Sequence, residues 1–208
     1  MKKCLLVSGG EYSPVENPEY YDFIIACDKG YDHCMKMGIS PNIVIGDLDS
    51  CTCKIDERIR VIKLNPIKDD TDTISSVKFA LGRGYKSIDI CCAFGGRFDH
   101  SIANIQTAAF IMSQGGDTCI TGKDTRIYSI HNEEVILPKE ENCYLSVFSL
   151  SDVSRGVCIE GAKYELHDAE ITNTYPIGTS NEWVKGDITV SVKEGMMIAV
   201  VSKNVKVD

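Results

Sequence analysis

The run Asn42-Ile43-Val44-Ile45-Gly46 leads into Asp47-Leu48-Asp49-Ser50, so an apolar stretch stops abruptly at two carboxylates one residue apart. Extended chain points residues two apart to the same side, which predicts that Asp47 and Asp49 aim at one point in space. Two like charges there repel unless a cation lies between them. A hard divalent ion such as Mg2+, held by one or two carboxylates together with water and phosphate oxygens, meets that demand. Taken alone, a D-x-D pair is equally compatible with two solvated aspartates in a loop. The rest of the chain decides between these readings.

Two further clusters carry the same signature. Asp69-Asp70-Thr71-Asp72 follows Asn65-Pro66-Ile67-Lys68 and directly precedes Ile74, Val77 and Leu81 at helical spacing. Capping of a helix start accounts for one aspartate, but not for three in four positions with Lys68 alongside. Phe94-Gly95-Gly96-Arg97-Phe98-Asp99-His100 forms the third cluster. Glycines between a strand and a helix let backbone N–H groups approach a phosphate, and Arg97 adds a planar fork that matches phosphate oxygens. His100 by itself reads as a packing or capping residue as readily as a catalyst. A surplus of carboxylate where glycines invite phosphate is electrostatically awkward without a metal and sensible with Mg2+ bridging the two. The chemistry indicated is phosphoryl or diphosphoryl transfer from a nucleoside triphosphate.

These clusters need a scaffold that brings them together. Apolar runs bounded by turn residues predict strands over Lys3 to Ser8, Asp22 to Cys27, Asn42 onward, Arg60 to Leu64, Ser87 to Ala93 and Asp117 to Thr121. Helical spacing predicts helices over Tyr31 to Met37, stopped by Gly38, over Ile74 to Leu81, and over a segment with Ile102, Ile105, Ala109 and Met112 on one face. Pro14 and Pro18 disfavour one continuous helix between Glu11 and Tyr21. Alternating strands and helices imply a parallel sheet, which binds ligands outside the carboxyl ends of its strands. All three clusters fall on that side. From about Arg126 the pattern changes to short alternating runs: Tyr144 to Leu150, Val157 to Glu160, Ala169 to Thr172, Ile188 to Val192 and Met197 to Ser202. The expected fold is an N-terminal parallel-sheet α/β domain, residues 1–128, followed by a small antiparallel β-sandwich domain, residues 129–208.

Composition narrows the partners. A chain of 208 residues that is 43% hydrophobic buries a real core. A net charge of -8 argues against nucleic acid and anionic membrane surfaces as partners. No window approaches the roughly 20 consecutive apolar residues of a membrane span, and Cys4-Leu5-Leu6-Val7 is too short for a signal-peptide core. Many of the ten cysteines, including Cys4, Cys27, Cys91, Cys92 and Cys119, lie inside apolar runs and read as small buried hydrophobes rather than disulfide partners. The expected location is the cytoplasm.

In this order and spacing, Gly46-Asp47-Leu48-Asp49-Ser50, Asp69-Asp70-Thr71-Asp72 and Gly95-Gly96-Arg97-Phe98-Asp99-His100 resemble the thiamine pyrophosphokinase family. The similarity includes Ala26-Cys27-Asp28-Lys29-Gly30, which looks like the family's small-residue-Asp-x-Gly segment, and Thr179-Ser180-Asn181-Glu182. The resemblance implies that ATP gives its terminal diphosphate to the hydroxyethyl oxygen of thiamine in a Mg2+-dependent reaction that releases AMP. It implies metal ligation by Asp47, Asp49, Asp69 and Asp72, and catalytic roles for Asp47, Asp49, Asp72, Asp99 and Arg97. Nucleotide contacts fall on Asp28, Lys68, Thr71, Gly95, Gly96, Arg97 and His100. Gly161-Ala162-Lys163-Tyr164-Glu165-Leu166 looks like the segment that lays an aromatic ring over thiamine, with Tyr164 where animal members carry tryptophan. Ser180, Asn181 and Trp183 complete the implied substrate contacts. The resemblance also implies a twofold homodimer with shared active sites. A phosphatase of the haloacid dehalogenase kind would place its D-x-D on the first strand rather than the third. A pyrophosphokinase for a pterin-like alcohol and a non-catalytic sensor of Mg2+-ATP would use the same acidic clusters, and product analysis separates all four activities.

Overall fold

A parallel sheet covered on both faces has strands that are apolar at successive positions, not alternate ones, and the first half of the chain follows that rule. The computed structural model describes residues 2–65, 67 and 69–204. Strands β1 (Lys3–Val7), β2 (Phe23–Cys27), β3 (Ile43–Gly46), β4 (Arg60–Lys63), β5 (Ser87–Cys91) and β6 (Cys119–Thr121) pair in parallel in the order β4-β3-β2-β1-β5-β6. Leu5, Val7, Ala26 and Val44 share a core with Tyr31 and Cys34. Leu6, Ile25, Ile45 and Ile90, of the opposite phase, are equally buried. β4 departs from the rule because it is an edge: it is mostly exposed, and Arg60 and Lys63 protect it with charge. The chain runs outward from β1 to β4 and then returns to place β5 on the other side of β1. That reversal makes the β1/β5 boundary the topological switch point of the sheet, where a crevice opens beyond the carboxyl ends.

Three helices connect these strands: α1 (Gly30–Met37), α2 (Asp72–Gly82) and α3 (Phe98–Ser113). A single 3-10 turn, Pro18–Tyr20, occupies the proline-bearing connection. α1 stops at Gly38, whose left-handed φ of 71° lets its N–H close onto the Cys34 and Met35 carbonyls. Thr71 caps α2, accepting the Ile74 N–H at 3.2 Å. The buried faces differ from those the apolar spacing predicts. α2 buries Thr73, Ser76, Val77 and Ala80, leaving Ile74 and Leu81 half-buried. α3 buries Asn104, Thr107, Ala108, Ile111 and Met112, leaving Ile102 45% exposed. Three of the polar residues on the inner stripes find partners there: Thr73 lies 3.3 Å from the Ser8 hydroxyl, Asn104 donates to the Ala93 carbonyl, and Thr107 donates to the Ala103 carbonyl.

The chain divides into two compact units, Met1–Lys123 and Asp124–Asp208. The second contains β7 (Thr125–His131), β8 (Glu134–Leu137), β9 (Cys143–Ser149), β10 (Val153–Glu160), β11 (Leu166–Thr172), β12 (Ile188–Ser191) and β13 (Met196–Lys203). They form two antiparallel layers, β7-β13-β9 and β11-β10-β12-β8. Ile130, Leu145, Val147, Val157, Ile159, Ile188, Val190, Met197 and Ala199 fill the space between them. All seven residues of β7 pair with β13. β7 and β8 are not among the strands anticipated from sequence, and β10 and β11 begin earlier than expected. Irregular pairing explains the last point: Gly156 and Asp168 adopt positive φ where the β10/β11 register shifts, which breaks the alternation a strand is recognised by. The ten cysteines are free, and Cys4, Cys27, Cys34, Cys91 and Cys92 are buried, whereas Cys119 is only half-buried. No helix among the described residues is long and apolar enough to cross a membrane.

Candidate functional site

Five strand ends feed one cavity of about 780 Å3 at the switch point. Ser8, Gly9 and Gly10 follow β1, Asp28 and Lys29 follow β2, and Asp47, Asp49 and Ser50 follow β3. Asp70, Thr71 and Asp72 enter from the start of α2, and Gly95, Gly96, Arg97, His100 and Asn104 from the β5–α3 segment. The polypeptide turns sharply at three of these ends, since Asp28 (φ 49°), Leu48 (φ 69°) and Cys92 (φ 53°) are non-glycine residues in the left-handed region. Such strain persists only where the surroundings over-determine it, and it concentrates at functional sites.

Carboxylate oxygens of Asp28, Asp47 and Asp72 all lie within 4.8 Å of one another. The packing that brings them together is legible residue by residue. The Asp28 N–H donates to the Ile45 carbonyl at 3.0 Å, docking the end of β2 on β3. Gly46 permits this, because a methyl group there would stand 2.8 Å from Asp28 Cβ. Asp28 is 8% exposed, and its Oδ1 is buried without a hydrogen-bond partner. Burial pushes its carboxyl above the ordinary value, and the charges of Asp72 and Asp47 add to the shift. An orphaned buried oxygen within a cluster of three carboxylates suits a hard divalent cation, and these residues fit Mg2+.

Asp47 and Asp49 do not project from extended chain as expected. β3 ends at Gly46, and the left-handed Leu48 folds the segment into a turn in which the Asp49 N–H donates to Asp47 Oδ1 at 3.2 Å. Asp49 lines the cavity outside the trio and accepts from the Ser50 hydroxyl at 2.7 Å. The following loop is tied to α1 by Asp32, which accepts from the Thr52 hydroxyl at 2.7 Å and from the Thr52 and Cys53 N–H groups at 2.9 Å each. Those bonds hold its carboxyl far below the ordinary range despite some burial. Asp69 is exposed and does not line the cavity; Asp70 does, and it pairs with Lys78 at 2.7 Å. Lys68 lies outside the described residues.

On the opposite wall the Arg97 guanidinium forks onto Asp99, with contacts of 2.6 and 3.2 Å. That bond holds the Asp99 carboxyl below its ordinary range. Arg97 lines the cavity with His100, while Asp99 does not, so Asp99 aims the guanidinium and also accepts the His100 N–H at 3.0 Å. Sequence reasoning did not assign Ser8, Gly9, Gly10, Glu11 or Asn104 to the site. Gly9-Gly10 follows β1 much as Gly95-Gly96 follows β5, the same signal in residue type and position. The structure gives it a reason: a methyl group on Gly10 would stand 2.6 Å from both the Cys92 and Phe94 carbonyls. His33 donates to the Gly10 carbonyl at 2.9 Å and fixes this turn from α1.

The thiamin pyrophosphokinase catalytic-domain model matches residues 18–120, and the thiamin pyrophosphokinase vitamin B1 binding-domain model matches residues 132–197. The chain belongs to the thiamin pyrophosphokinase family. It is 28% identical over 212 residues to thiamine pyrophosphokinase of Bacillus subtilis (strain 168), covering 96% of this chain and 98% of that protein. The crystal structure of thiamine pyrophosphokinase from Bacillus subtilis superposes with a TM-score of 0.86 at 27% identity, covering 98% of this chain and 100% of the other. A thiamin pyrophosphokinase family protein from Enterococcus faecalis gives 0.80 at 26%, covering 99% and 100%. The Candida albicans enzyme, at 12% identity and a TM-score of 0.75, covers 97% of this chain and 89% of its own, and shares the fold. The chain forms thiamine diphosphate from thiamine, with ATP as co-substrate.

The vitamin B1 binding-domain match includes the four remaining candidate residues of the chain. Tyr164 is 61% exposed. Ser180 has a left-handed φ of 56°, and its N–H donates to the Ser146 hydroxyl at 3.1 Å. Asn181 is buried. Trp183 packs against the sandwich core, and its indole N–H donates to the Leu137 carbonyl at 3.3 Å.

Proposed function

We propose that diphosphate transfer takes place in the cavity at the β1/β5 switch point, by in-line attack of the thiamine hydroxyethyl oxygen on the β-phosphorus of ATP, so that AMP leaves. The convergence of Asp28, Asp47 and Asp72 on one point beside two glycine turns carries this reading. Those three side chains would hold Mg2+, which supplies neutralisation of phosphate charge. Asp49 completes the acidic wall. Backbone N–H groups of Gly9, Gly95 and Gly96 would donate to phosphate oxygens, and Arg97, held by Asp99, would meet the charge that develops on the transferred group. Incubation with ATP, Mg2+ and thiamine, followed by phosphorus resonances, should yield AMP and thiamine diphosphate in equal amounts. ADP as the main nucleotide product refutes the in-line reading at the β-phosphorus.

Thiamine binding falls to the second unit, with the exposed Tyr164 ring as its platform. The enzyme acts as a twofold homodimer in which the phosphate cavity of one chain works with Tyr164 and its neighbours from the other. In support, the second unit exposes Ile136, Tyr164 and Val184, apolar surface that a partner would cover. Ten free cysteines, five of them buried, and a net charge of -8 suit a reducing cytoplasm. Refolding a mixture of Asp47→Asn and Tyr164→Ala chains tests the sharing. Random pairing makes half the dimers mixed, each with one intact site, so about a quarter of wild-type activity is expected under twofold symmetry. All are assayed at thiamine well below its KM, where a roughly tenfold higher KM leaves Tyr164→Ala about a tenth of wild-type activity, and a mixture no more active than the mean of its parents means that each chain builds its own site.

A further inference from the structure

Asn181 is 3% exposed, yet its amide is almost fully committed inside the protein. Its Oδ1 accepts the backbone N–H groups of Tyr164 at 2.9 Å and of Glu182 at 3.0 Å, and its Nδ2 donates to the Tyr164 carbonyl at 2.6 Å. An asparagine amide offers two donors and two acceptor sites, so three of four are spent here, two of them on one residue. The backbone of Asn181 is anchored in turn, exchanging bonds of 2.8 and 2.9 Å with Leu145 of core strand β9. A chain of hydrogen bonds therefore runs from the sandwich core through one buried amide to both sides of Tyr164.

The rest of the loop is held in the same sense. The Gly161 N–H donates to Glu165 Oε1 at 2.9 Å, and the Lys163 N–H to the Glu182 carbonyl at 2.9 Å. Lys163 Nζ pairs with Glu182 Oε1 at 2.7 Å and stands 5.6 Å from the centroid of the Tyr164 ring. All of this constrains the backbone and leaves the ring in solvent. Trp183, the other aromatic candidate, has its indole N–H and its ring committed to the core.

We infer that Asn181 is a positioning residue: it fixes the Tyr164 backbone from both sides so that the exposed ring is presented to thiamine, and it does not itself touch the substrate. The inference rests on the proposed reading that Tyr164 carries thiamine. A thiazolium ring is a permanent cation, which an aromatic face attracts, and fixing that face beforehand removes part of the ordering cost of binding.

A double-mutant cycle in the full-length enzyme tests this. Tyr164→Ala should raise the KM for thiamine roughly tenfold with the KM for ATP unchanged. Asn181→Ala should raise it by a similar factor at nearly constant kcat, and the double variant should be no worse than Tyr164→Ala alone. Asn181→Asp, which keeps both N–H acceptors and loses only the donation to the Tyr164 carbonyl, should fall between wild type and Asn181→Ala. It serves in the cycle if the alanine variant does not fold. Effects of Asn181 and Tyr164 that multiply would show that the amide binds substrate directly and overturn the inference. So would Asn181 variants with a normal thiamine KM alongside an impaired Tyr164→Ala. A Tyr164→Ala enzyme with a wild-type KM has a different meaning: it removes Tyr164 as the thiamine platform, and the positioning role with it.

Discussion

Asp47→Asn and Asp28→Asn are each expected to lower kcat by at least about a hundredfold while leaving the melting temperature of the metal-free protein unchanged or higher. Three carboxylates whose oxygens lie within 4.8 Å repel one another, and Asp28 has in addition a buried oxygen with no partner. Removing one charge relieves the repulsion and also removes a ligand of the proposed divalent cation, so activity and stability should move in opposite directions. The pH dependence separates this from an ordinary structural aspartate. The Asp28 carboxyl is raised above its ordinary value of 3.8, first by burial and then by the charges of Asp72 and Asp47. A group whose folded value is raised contributes stability fully below its unfolded value, and that contribution is lost as pH rises through the folded value. In chelator the wild type should therefore lose stability relative to Asp28→Asn as pH rises across that window, and the gap should level off above it. Variants that melt earlier at neutral pH and retain kcat would mean that these aspartates are structural.

Gly30→Ala should be among the most damaging single-methyl additions in the first unit. A Cβ at Gly30 would stand 1.8 Å from the Val7 carbonyl oxygen and 2.7 Å from its carbon, both backbone atoms that no rotamer change can move aside. Relief requires α1 to lift off β1. The damage is not confined to packing, since Gly30 lies two residues beyond Asp28, and the Asp28 carbonyl accepts the Tyr31 N–H at 3.0 Å. Lifting α1 thus drags the β2 turn and its carboxylate away from the trio. A loss of roughly 3 kcal/mol or more is expected, which lowers Tm by about 6 to 12 °C for a chain of this size, together with a fall in kcat. Gly82→Ala is the control: nothing lies within 4 Å of its added methyl group, and alanine is the better helix former. Equal melting temperatures for the two variants would show that the β2–α1 turn yields more easily than its close contact implies.

Much of this architecture is legible in the residues themselves. Apolar runs bounded by turn residues specify the inner parallel strands, because burial on both sheet faces demands continuous apolar sequence, whereas Arg60 and Lys63 mark β4 as the edge. Gly38 marks the end of α1 and Thr71 the start of α2, since both signals depend on backbone geometry that only a few side chains tolerate or satisfy. The acidic clusters and glycine turns announce phosphate and metal chemistry by residue type alone. What the chain order does not carry is which strands become neighbours. Asp28 joins Asp47 and Asp72 only because β2 docks beside β3 with Cys27 opposite Ile45. Gly9-Gly10 joins Gly95-Gly96 only because β5 returns to the far side of β1. The D-x-D pair shows the same limit at short range: its composition indicated a cation site, but the left-handed Leu48 set the direction of each side chain. Asn181 marks the boundary most plainly. Its type says that it can donate and accept, whereas only the folded chain places the Tyr164 backbone, 17 residues away, against that amide. Short-range physics is written into residue type and spacing, but pairing between distant segments is settled by the total burial and hydrogen-bond satisfaction of the whole fold.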